Sequence, residues 1–119
     1  MSLLGLVPKI SVPPIDTRTL DEPMSAEQFV QRLQNKIEDL GRNLAEDEQL
    51  EVVTFLPSGR AISVERVEHE NPALVLLHGR EQESGHLCTL LGHQSTVQVL
   101  VSIAPIPEGQ TRKQVVFSP

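Results

Sequence analysis

From Leu50 to Ile103 the chain alternates short β-branched, apolar runs with turn residues, and this span decides the fold class. Leu50-Glu51-Val52-Val53-Thr54-Phe55-Leu56 is β-branched and aromatic and stops at Pro57-Ser58-Gly59, a turn sequence. Ala61–Glu68 reads as a second strand. Its apolar positions change phase between Val64 and Val67, which predicts a bulge or sharp bend near Glu65-Arg66, as a small barrel needs in order to close. His69-Glu70-Asn71-Pro72 is a loop, and Ala73–Leu77 is a nearly continuous apolar run, hence a strand buried on both faces. The charged Gly79–Gly85 stretch reads as a hairpin connection. His86–Leu91 forms a fourth strand, Gly92-His93-Gln94 a tight turn, and Ser95–Ile103 a fifth strand ended by Pro105 and Pro107. Gln114–Phe117 either adds a short edge strand or follows a neighbouring subunit.

Ahead of this half stands one helix. Ser25-Ala26-Glu27-Gln28 is a capping box, and Phe29, Val30, Leu33, Ile37 and Leu40 then form one apolar stripe. Gly41 stands where a left-handed terminal residue is expected, so the helix spans about 26–41. Asn43–Gln49 reads as a solvated acidic connection, without the alternating oxygen-ligand spacing of a calcium loop. The organisation expected is a proline-rich arm over 1–23, extended or disordered, and one domain over 24–119. That domain comprises the helix, a barrel over about 50–104 and a tail over 105–119. The arm carries Pro8, Pro13, Pro14 and Pro23, which block helix and central strand alike, and it offers Ile10, Val12 and Ile15 to a neighbouring subunit.

Charge and cysteine usage narrow the function classes. The net charge is −6, and residues 21–51 hold nine carboxylates against three basic side chains. No basic patch is present to hold phosphates, which disfavours DNA and weakens RNA as a ligand. Apolar residues make up 39% of the chain and no run approaches the roughly 20 a membrane span needs, so a soluble protein without membrane contact is expected. The apolar opening Met1–Val7 is short and has no basic residues before it, so no signal peptide is expected. The single cysteine, Cys88, rules out an internal disulfide and suits a reducing cytoplasm; it reads as a small buried hydrophobe.

Candidate chemistry is sparse. His86-x-Cys88, with His93 or His78, offers potential zinc ligands, but the paired spacing of structural zinc sites is missing, so neither metal nor cofactor is expected. Cys88 with a nearby histidine would be a nucleophile and base, yet it falls in a strand read as buried. No phosphate loop, nucleophile elbow or dinucleotide fingerprint occurs, and the reading is not an enzyme. The only aromatics are Phe29, Phe55 and Phe117, and the first two are placed in the core, which counts against base stacking.

One helix followed by five short, strongly bent strands resembles the Sm-like fold, which includes the bacterial RNA chaperone Hfq. Leu50-x-Val52-x-x-Phe55-Leu56-x-x-Gly59 resembles the first Sm motif, and Asn71-Pro72-Ala73-Leu74-Val75-Leu76 resembles its end. Leu90-Leu91-Gly92-His93-Gln94 resembles the second motif, where Hfq has a Lys-His pair and His93 matches the histidine. The chain departs from the family at Leu91 or Gly92, where a cation belongs, and at Ser63 and His69, near a motif glycine and the turn acid. Leu90–Pro105 also resembles an uncharacterised bacterial and phage-associated family with an Sm-like barrel. The resemblance implies a mainly β fold with one N-terminal helix and a five-stranded, strongly bent small barrel. It further implies a homo-oligomeric ring joined through pairing of the fourth strand with the next subunit's fifth. A single-stranded RNA ligand would meet Asn71, His93 and Gln94 near the pore, supported by Arg60 or Arg66. The alternative is a protein-interaction or structural ring of phage or bacterial origin, meeting its partner through the acidic helix or the arm.

Overall fold

The computed structural model describes residues 25–118, and the expectations for the arm over 1–23 fall outside the described residues. The elements are helix α1 (Ala26–Gly41) and strands β1 (Glu48–Phe55), β2 (Ala61–Glu70), β3 (Leu74–Glu81), β4 (Leu87–His93), β5 (Leu100–Pro105) and β6 (Val116–Phe117). Helix α1 begins as its sequence dictates: the Ser25 hydroxyl accepts the Gln28 N–H at 3.1 Å, and the Gln28 side chain accepts the Ser25 N–H at 3.3 Å. Ala26 and Val30 are buried, and Phe29, Leu33 and Ile37 pack beside them, whereas Leu40 is 46% exposed. The stripe therefore stops one turn early. Gly41 lies inside the helix, and Arg42 ends it in right-handed geometry, its N–H bonded to the Asp39 carbonyl and its side chain paired with the Asp39 carboxylate at 2.6 Å. That ion pair and the tightened last turn replace the left-handed glycine the sequence predicts.

The sheet has the order β4-β3-β2-β1-β5, antiparallel throughout, with β6 added parallel to β2. It is open, in place of the closed barrel expected: among the described residues neither β4 nor β5 has a partner on its outer side. Several boundaries also move. β3 runs on to Glu81, so the connection expected over Gly79–Gly85 shrinks to the turn before β4, and it is buried on one face only, through Val75, Leu77 and Gly79. His93 closes β4 and does not sit in a turn, while Ser95–Val99 is not strand. Glu48 and Gln49 belong to β1, and Gln49 is 2% exposed. Phe55 is 53% exposed and lies outside the core, and Cys88 is half-buried.

The expected bend is present. The β2–β3 register slips between Val64 and Arg66, leaving Glu65 as the extra residue. At the same point the strands approach closely: a Cβ on Gly79 would stand 1.9 Å from the Ser63 carbonyl oxygen, so the position admits only glycine. Beyond the bend β2 parts from β1, which pairs with it only from Val53 to Phe55 and follows β5 over Glu48–Val53. The side of β2 thus released is taken by β6, opposite Arg66 and Val67. The core gathers where the helix meets the bent sheet, around Val52, Val64, Val67, Val75 and Leu77, with Val115 and Phe117 of the final segment packed against it. Among the described residues no helix is long and apolar enough to cross a membrane.

Candidate functional site

At one end of the sheet the β2–β3 turn, the end of β4 and the start of α1 meet. Asn71 stands in that turn. Its Oδ1 accepts the Glu27 N–H at 3.0 Å and its Nδ2 donates to the Glu27 carboxylate at 3.4 Å, while the Pro72 carbonyl accepts the Ala26 N–H at 2.8 Å. The first-turn N–H groups of a helix need such acceptors, so Asn71 ties the turn to the helix. His93 lies across from Leu74, and its Nδ1 accepts the Ser95 N–H at 3.1 Å and contacts the Ser95 hydroxyl at 2.8 Å. That leaves Nε2 as the ring nitrogen without a partner among the described residues. Asn71 and His93 line one shallow depression of about 260 Å³ together with Glu70, Pro72, Ala73 and Leu74.

Gln94 joins the same end of the fold through its N–H, bonded to the Ala73 carbonyl at 2.9 Å; its buried Oε1 has no partner among the described residues. The two arginines do not join it. Arg60 precedes β2 and Asn71 follows it, so the two stand at opposite ends of that ten-residue strand. Its Nε pairs with Glu81 at 2.7 Å and approaches Glu83 at 3.8 Å. Arg66 lies at the bend, paired with Glu68 at 3.3 Å. The depression thus carries an acid, Glu70, and no lysine or arginine among its lining residues.

A polar series on the same side of the sheet was not legible in the sequence. His78 on β3 bonds Glu68 of β2 through Nε2 at 2.9 Å and Thr89 of β4 through Nδ1 at 2.8 Å. Nε2 faces the carboxylate and donates to it, and Nδ1 faces the Thr89 hydroxyl, which can either donate or accept. The hydrogen bond from His78 holds the Glu68 carboxyl below the ordinary glutamate value; burial opposes it, and the Arg66 and His78 charges and a bond from Ser118 add to the lowering. These contacts stitch three strands together. Of the residues weighed as zinc ligands, His78 is engaged in this series, His86 precedes β4, and His93 lies at the strand's far end; among the described residues no three His, Cys, Asp or Glu side chains converge on a metal position.

Among the described residues, fold and depression together define a small, mainly β unit with one helix over an open, bent sheet and two edges without a partner. No protein-family model, curated protein or solved structure matches the chain.

Proposed function

We propose that this chain is the subunit of a non-enzymatic, Sm-like homo-oligomeric ring acting as a binding or scaffold module. The observation that carries the reading is the pair of sheet edges that no described residue covers. β4 exposes Leu87 at 70% and Leu91 at 58%, and β5 exposes Leu100 at 53% and Ile103 at 61%. Between the two strands opens a cleft of about 700 Å³ lined by Phe55, Leu90, Leu91, Val97, Val99 and Leu100. Free edges with apolar flanks are a hazard unless another chain covers them. Two different edges that fill each other make a head-to-tail contact, which closes into a ring when the rotation per subunit allows.

The partner favoured is protein and not RNA. A phosphate backbone is held by cations, and the depression formed by Asn71 and His93 offers a carboxylate and an imidazole in their place. Size exclusion with light scattering tests the assembly. The wild-type chain is expected as one discrete oligomer, and Leu91→Lys or Ile103→Lys, each placing a charge on one edge, is expected to release smaller species. A wild-type chain that stays monomeric at high concentration refutes the ring. Gel shift with oligo-U and oligo-A at two salt concentrations separates the ligands: a shift at low salt that His93→Ala abolishes would replace the protein-scaffold reading with the RNA one.

A further inference from the structure

Beyond the bend, the side of β2 that β1 leaves is filled by the segment Arg112–Ser118. Arg112 anchors the segment by donating from Nε to the Glu48 carbonyl at 2.9 Å and from a terminal nitrogen to the Ala45 carbonyl at 2.8 Å. The buried Gln49 side chain accepts the Lys113 N–H at 2.9 Å. Val116 and Phe117 then run parallel to Arg66 and Val67, and the Ser118 N–H bonds the Val67 carbonyl at 3.0 Å. Val115 and Phe117 supply the apolar contacts. The recognition pattern is a cation followed three and five positions later by apolar residues in extended backbone, the form in which a strand is added to a sheet edge.

Three features make this occupant exchangeable. The ladder is two residues long. Open cavities of about 470 and 320 Å³ flank it: one against Ile37, Leu44 and Leu50, the other against Val52 and Val64. The connection from Ile106, which is tied to the Asp47 carbonyl, to Val115 holds no strand and turns at Gly109 with φ +81. From Ile106 to the anchored Arg112 the chain can extend to about 20 Å, and this is the reach it offers a neighbouring copy. Every contact made within one chain can be made identically between two, so only the connection distinguishes the alternatives, which is the condition for domain swapping.

We infer that residues 112–118 of one copy occupy the β2 slot of a second copy, exchanging with the intramolecular arrangement. The inference does not require the ring, because it uses a different edge of the sheet. Arg66 and Val116 face each other in neighbouring strands, which lie about 4.8 Å apart, within the Cα span a disulfide bridges. In a Cys88→Ser background, separately purified Arg66→Cys and Val116→Cys chains are mixed, incubated and oxidised. The expected product is a covalent pair containing one chain of each kind, in at least several-fold excess over a Gln31→Cys plus Val116→Cys control that reports random encounters. No excess over the control, while a chain carrying both Arg66→Cys and Val116→Cys cross-links within itself, overturns the inference; so does failure of both to cross-link. A second measurement uses the unaltered protein: a fluorescent Thr111–Ser118 peptide binds saturably and its Phe117→Ala counterpart does not, and absence of saturable binding overturns strand exchange. Neither readout depends on oligomer size, so failure here and failure of the ring are separable.

Discussion

Gly79→Ala is the substitution that most directly tests how the bend is built. The added Cβ would stand 1.9 Å from the Ser63 carbonyl oxygen, 2.8 Å from the Ser63 carbonyl carbon and 3.1 Å from the Val64 Cα. A carbon–oxygen contact needs about 3.3 Å, so the two strands must separate by more than about 1 Å at this point. All three obstructing atoms are main chain, so no change of rotamer relieves them. Overpacking costs about 1–3 kcal/mol where side chains yield, and a main-chain obstruction belongs at about 3 kcal/mol or above. For a domain of this size, each kcal/mol lowers Tm by roughly 4–8 °C, so a fall of at least about 12 °C is expected in thermal unfolding followed by circular dichroism. Amide exchange should quicken first around Val64–Arg66. Gly41→Ala is the matched control: its Cβ would meet only Leu50 Cδ1, at 3.7 Å, and alanine is favoured over glycine in a helix by about 0.5–1 kcal/mol. It should leave Tm unchanged or raise it by a few degrees. A Gly79→Ala protein within about 2 °C of wild type, with exchange around the bend unchanged, would refute the close-approach argument.

Asn71→Ala removes the acceptor for the Glu27 N–H and should cost about 0.5–1.5 kcal/mol; a Tm unchanged from wild type would contradict the capping role. Thr54→Val deletes the hydroxyl that donates to the Gln98 carbonyl at 2.8 Å from a nearly buried position, and about 1–3 kcal/mol should be lost in denaturant unfolding. The Glu68 carboxyl is held below its ordinary value of 4.5, so its stabilising effect is complete above that pH and is lost as pH falls through the lower folded-state value. Wild type and Glu68→Gln should therefore differ in Tm near neutrality and converge under strong acid; parallel curves would contradict the linkage.

Much of this architecture is local and so was legible in the residues. The capping box and stripe placed the helix at 26–41, because helix starts and faces depend on residues three and four apart. The phase change at Val64–Val67 placed the bulge, because side-chain alternation records register along a single strand. The apolar character of β4 and β5 was likewise apparent, and with it the question of what covers them.

What the sequence could not reach depends on which strand lies beside which. Asn71 reads as a loop residue open to a ligand, yet its side chain is engaged with the helix start 44 positions away. Arg60, Arg66 and His93 are all polar and near turns or bends in the sequence, but the direction of β2 carries Arg60 to the opposite end from His93. Glu68, His78 and Thr89 come together only because three registers align them. The fate of Val116-Phe117 was undecided for the same reason: its seat exists only because β2 bends away from β1. The sequence by itself determined a capped helix, a bent second strand and a β-rich half, all products of short-range sterics and periodicity. Tertiary structure alone decided the open sheet, the cation-free depression and the strand slot, because long-range pairing sets which polar groups find partners and which edges remain to be filled.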